Sequence, residues 1–164
     1  HVDAKYYGLL FGMNMIGVSS IGLFNRKMVT LYSLDKLLLF STSTAIIGGI
    51  GLFLSASTGW GGIFGIIGFV FIIFSMNGII ASCTNAAALD AVPATMVGSA
   101  AAFMGALQYG SGIISSLLLA SFSTGTPFTM SWIMLLFVAL SFVAIILNVK
   151  NKIITVITKT IIAK

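Results

Sequence analysis

Residues 62–86 read GIFGIIGFVFIIFSMNGIIASCTNA, twenty-five positions without one charged side chain. That run exceeds the roughly 20 residues an α-helix needs to cross the ~30 Å hydrocarbon core of a bilayer. Backbone groups in hydrocarbon have no water to bond, so the run is a helix, and it is too uniformly apolar for a barrel strand. Similar apolar stretches cover 6–24, 37–54, 97–122 and 128–149, with short polar joints between them. The sequence therefore predicts an all-α fold: a polytopic membrane bundle of five transmembrane helices over 1–149, then a basic tail, 150–164. The whole chain is 59% hydrophobic and 7% charged, with mean hydropathy +1.15. No water-soluble core absorbs such a balance, because a domain of this size keeps a large surface in water.

The few charges give the crossings a direction. Arg26, Lys27 and Lys36 surround the first joint, and Lys150, Lys152, Lys159 and Lys164 occupy the tail. Five crossings place those seven on one side and leave Lys5 alone on the other. The positive-inside rule then puts the N-terminus outside and the tail in the cytoplasm. Trp60 and Trp132 stand near span ends, where interfacial aromatics belong. The tail segment 153–163 fits either a helix lying on the inner surface or a solvated tail.

Composition also excludes several classes of function. The net charge of +5 comes from cations placed singly or in pairs beside apolar runs, with no basic aromatic face, so nucleic acid is excluded as a partner and the lipid bilayer is the expected one. Cys83 is the single cysteine and His1 the single histidine. No disulfide framework, metal site or cofactor is expected, and Cys83 reads as a small packed residue. No catalytic triad, phosphate loop or paired-carboxylate site is present, so the chain is not expected to be an enzyme. The first residues carry no signal-peptide pattern. Because it opens on His1, the sequence reads as a piece of something longer.

Polar groups inside the spans are the candidates for function. Asn14 lies in the first span, Ser75, Asn77, Ser82, Thr84 and Asn85 late in the third, and Gln108 within the fourth. An unpaired amide in hydrocarbon costs several kcal/mol, so these groups face other helices or a wet cavity. Two readings stay open: hydrogen-bonded glue between helices, or the lining of a cavity. Eighteen glycines, including the pairs Gly8/Gly12 and Gly61/Gly65 and the group Gly48, Gly49 and Gly51, point to close helix packing. No charge sits mid-span, so a titratable group for proton coupling is missing from these helices.

Four stretches carry a family resemblance. Residues 7–17, YGLLFGMNMIG, with FNRK at 24–27, resemble the eighth helix of Bcr/CflA-type drug-resistance transporters of the major facilitator superfamily. Residues 82–90, SCTNAAALD, resemble the end of that family's tenth helix, and GTPFTM at 125–130 resembles the joint before the twelfth. The most specific match is 97–112, VGSAAAFMGALQYGSG, which looks like the Gly/Ala-rich eleventh helix with its Gln. The resemblance implies helices eight to twelve of a twelve-helix, proton-coupled multidrug exporter in the bacterial inner membrane. It implies a small-molecule drug as substrate, with Asn14, Asn77, Asn85 and Gln108 on the substrate cavity. It further implies an N-terminal half, absent from this sequence, as partner and as the seat of proton coupling. Two alternatives stand beside it: a truncated or stand-alone membrane subunit without transport activity, and a facilitator-type permease for a metabolite.

Overall fold

The computed structural model describes residues 4–162, and side-chain surroundings for Gly8 and residues 12–151. Five helices follow one another: α1 (Ala4–Leu31), α2 (Leu34–Thr58), α3 (Gly62–Asp90), α4 (Val97–Phe122) and α5 (Pro127–Ile162), with a 3₁₀ turn, Ala94–Met96, leading into α4. No strand occurs among the described residues. Four segments are long and apolar enough to cross a membrane: Leu34–Thr58, Gly62–Asp90, Ala94–Phe122 and Pro127–Asn151. Residues 6, 7 and 9–11 of the first expected span, 6–24, lie outside the residues whose side chains are described.

The helices outrun the apolar stretches that predict them. α1 continues through Asn25, Arg26 and Lys27 to Leu31, so the first joint shrinks to Tyr32 and Ser33. α3 runs four residues past Ala86. α5 carries straight on from the span into the tail, reaching Ile162 over 36 residues. At 1.5 Å per residue it is about 54 Å long, more than the 40–45 Å of a bilayer with its headgroups. Helical hydrogen bonds are internal, so a helix need not stop where the hydrocarbon does.

α2 is the centre of the bundle, and its glycines show why. A Cβ on Gly48 would lie 3.2 Å from Ile72 and Ile73 of α3, whereas one on Gly49 would lie 3.1 Å from Leu135 of α5. Successive helical residues are about 100° apart, so the two glycines open α2 to two different neighbours. α1 in turn crosses α3: a Cβ on Gly78 would come within 3.0 Å of the Val18 carbonyl oxygen. No Cα of α3 approaches one of α5 within 8 Å among the described residues, and α4 touches α3 and α5 only lightly. Not one described residue of α4 is buried.

The packed layer holds Leu37, Leu38, Ile79 and Cys83 at the end where α1 meets α2, with Ile21, Met28 and Ile145 against it. α2 also carries four consecutive hydroxyls, Ser41 and Thr42 buried and Ser43 and Thr44 half-buried. Each bonds back to its own helix: Ser41 donates to the Leu37 carbonyl at 2.8 Å, Thr42 to Leu38 at 2.6 Å, Ser43 to Leu39 at 2.7 Å and Thr44 to Phe40 at 2.9 Å. Satisfied in this way, they are tolerated in an apolar medium.

The joints at the other end are tight because glycine permits them. Gly59, Gly61 and Gly62 have φ of 74°, 74° and 53°, the left-handed region that costs other residues. The Ser55 hydroxyl donates to the Trp60 carbonyl at 2.7 Å and fastens this turn to α2. Between α4 and α5, Thr129 donates to the Phe122 carbonyl at 3.0 Å, and Pro127 occupies the first helical position, where no N–H is required.

Candidate functional site

Because α3 and α5 both lean on α2 without meeting, a groove opens between them. Half-way along it lies a recess of about 290 Å³. Its polar groups are Thr42 from α2, Asn77 from α3 and Ser141 from α5, set among Ile73, Phe74 and Phe137. No charged residue lines it. The Thr42 hydroxyl is already bonded to Leu38, whereas Asn77 is solvent-exposed in the isolated chain and carries two amide donors and a carbonyl acceptor. The recess thus offers neutral hydrogen bonding inside an apolar wall, the usual make-up of a small-molecule pocket.

A second recess of about 400 Å³ lies at the charged end, lined by Asp35, Leu38, Thr84, Ile145 and Asn148 among others. Leu38, Thr84 and Ile145 each lie four residues, one helical turn, from Thr42, Ile80 and Ser141 of the first recess. The two recesses therefore stack along the same three helices, and the only carboxylate in either lining, Asp35, stands at the mouth.

The four residues expected on a cavity are spread out. Asn77 lines the mid-groove recess. Asn85, two turns further along α3, is half-buried and lines neither recess. Asn14 is half-buried on α1, and Gln108 is exposed on α4. Thr42 and Ser141 join Asn77 instead. The first was legible as the Ser-Thr-Ser-Thr run at 41–44, an unusual density of hydroxyls inside an apolar span; Ser141, isolated in α5, gave no signal.

The α1–α3 contact holds a further polar pair. Asn25, 4% exposed, donates from Nδ2 to Cys83 Sγ at 3.8 Å, and its Oδ1 accepts no hydrogen bond. Among the described residues, no three His, Cys, Asp or Glu side chains gather in a way that could hold a metal ion.

These features define an all-helical bundle whose four long apolar helices point to a membrane protein. Comparison with protein-family models, curated proteins and solved structures finds no match to this chain.

Proposed function

We propose that the chain is the C-terminal part of a proton-coupled multidrug exporter similar to the Bcr/CflA-type transporters, moving small, weakly polar drugs across a bacterial inner membrane. The observation that carries this reading is the uncharged recess in the groove, where Asn77 presents an amide at mid-span depth. An apolar pocket with a few neutral donors and acceptors suits drug-sized solutes of varied shape. In this reading proton coupling belongs to other helices, because the described spans hold no mid-span charge. On the same reading the cations of the first joint and of the tail face the cytoplasm.

Two measurements test the proposal. In cells carrying the longer reading frame that contains this chain, Asn77→Ala is expected to lower dye efflux several-fold while Ser121→Ala, on exposed α4, leaves it unchanged. Wild-type efflux from Asn77→Ala cells would remove the recess from the transport path. In a Cys83→Ala background, cysteines at Ser57 and Thr95 are expected to react with an impermeant maleimide from opposite faces of the membrane, since α3 runs between them; labelling of both from one face would refute the crossing.

α4 favours a second reading, a membrane subunit that packs against partner helices. It is apolar enough to span, yet none of its window is buried. Wild-type levels of a co-purifying partner after Gln108→Leu would count against it.

A further inference from the structure

A different recess, of about 360 Å³, lies at the charged end between the close of α1 and the start of α2. Five residues form it: Met28 from α1, Tyr32 from the joint, and Lys36, Leu37 and Phe40 from α2. The Tyr32 N–H donates to the Met28 carbonyl at 2.9 Å, which holds the joint against the end of α1, and Lys36 and Phe40 are one turn apart on the same face of α2. The chemistry divides along that axis. Lys36 and Tyr32 bring an ammonium and a phenol, both hydrogen-bond donors, to the outer rim. Met28, Leu37 and Phe40 make an apolar floor that continues along α2 toward the hydrocarbon.

The charge at the rim is uncompensated by the lining. No carboxylate borders this recess; Asp35, the neighbour of Lys36, lines the groove toward α3 and α5 instead. α2 also begins here, but Asp35 in its first turn offsets the positive end of the helix dipole, so the Lys36 ammonium is the charge that this rim presents. Arg26 and Lys27 stand exposed at the same end of α1. Phe40 is 61% and Tyr32 50% exposed, which leaves the recess open sideways.

We propose that this recess seats an anionic phospholipid, with its phosphodiester between Lys36 Nζ and the Tyr32 hydroxyl and one acyl chain on Met28, Leu37 and Phe40. Charge complementarity selects the occupant. A zwitterionic lipid would bring a second cation to a rim that already holds a lysine and no carboxylate, and an apolar partner helix would leave the ammonium facing apolar side chains. Basic recesses between helices at this depth suit anionic headgroups. The seat does not depend on the transport reading, because it requires only that α1 and α2 enter a bilayer.

The test uses the full chain in mild detergent, supplied with phosphatidylglycerol or phosphatidylcholine, and counts retained lipids by native mass spectrometry. Wild type is expected to retain phosphatidylglycerol in preference. Lys36→Gln should cut that retention about fivefold, the worth of one lysine near a charged headgroup, and Lys36→Arg should restore it. Lys150→Gln, at the same end but outside the recess, should leave retention unchanged. An equal loss from Lys36→Gln and Lys150→Gln would reduce the site to diffuse charge and overturn the proposal. So would equal retention of the two lipids, or displacement of the lipid by millimolar inorganic phosphate. Unchanged helical circular dichroism certifies each variant as folded.

Discussion

The crossing of α1 over α3 rests on Gly78, and enlarging that residue should pry the two helices apart. A Cβ at position 78 would lie 3.0 Å from the Val18 carbonyl oxygen, 3.4 Å from Val18 Cγ1 and 3.8 Å from the Gly22 nitrogen. Two of those three atoms are backbone, so they cannot swing aside as a side chain would. Gly78→Leu adds three further carbons into the same gap, and α1 must move bodily. Overpacking of this kind costs about 1–3 kcal/mol, and 2 kcal/mol, near the middle of that range, raises the population of the opened state about 30-fold.

Cys83 reports that opening. It is the only cysteine, is 1% exposed, and lies under Asn25 of α1. A fluorogenic maleimide should therefore label it only when α1 lifts from α3, at a rate that follows the open fraction. In detergent at fixed temperature, Gly78→Leu is expected to label about 30 times faster than wild type. Gly68→Leu is the control: that glycine is exposed and has open space around it, so its rate should stay within about twofold, the ordinary effect of a surface change. Equal rates for Gly78→Leu and wild type would refute the reasoning, as would equal acceleration by Gly68→Leu.

Two further substitutions follow from the same contacts. Gly61→Ala forces a side chain into a φ of 74° and within 3.1 Å of the Gly65 Cα; a loss of about 1–2 kcal/mol should lower the thermal midpoint, whereas Gly12→Ala, with open space around it, should not. Asn25→Leu removes a buried Oδ1 that accepts no hydrogen bond, and deleting that acceptor while keeping the branched four-atom skeleton should stabilise the α1–α3 contact by about 1 kcal/mol, read as slower labelling of Cys83.

The spans were legible because membrane burial acts on composition. Twenty-odd apolar residues in succession admit few structures other than a helix, and α2 to α5 fall where the sequence put them. Their ends were less legible, because the end of an apolar run marks the edge of the hydrocarbon and not the end of hydrogen bonding. Arg26 and Lys27 read as a joint and sit inside α1. Glycine spacing misled in a similar way. Gly8 and Gly12 have the spacing of a packing motif, yet among the described residues nothing lies within 4 Å of a Cβ at either. Gly48, Gly49, Gly51 and Gly65, which the sequence also marked for packing, do meet neighbouring residues, and Gly17 and Gly78 join them without any such spacing, because which face a helix buries depends on where its neighbours lie.

The polar residues make the same point about the site. Asn77, Asn85 and Gln108 are alike in type and all lie in apolar spans, so sequence alone ranks them together. The fold separates them by one circumstance: α3 and α5 both pack on α2 but stay apart, and Asn77 lies on the side of α3 that borders the resulting groove. Asn85 is eight residues further on, about 80° around the helix, and misses it. Gln108 belongs to α4, which packs too lightly on α3 and α5 to bring it in. Thr42 enters the groove from the hydroxyl run at 41–44, though its bond to its own helix is unremarkable in a membrane span, and Ser141 enters with nothing in its sequence surroundings to announce it. The groove is therefore a consequence of which helix pairs fail to touch, and a sequence read one span at a time holds no record of that.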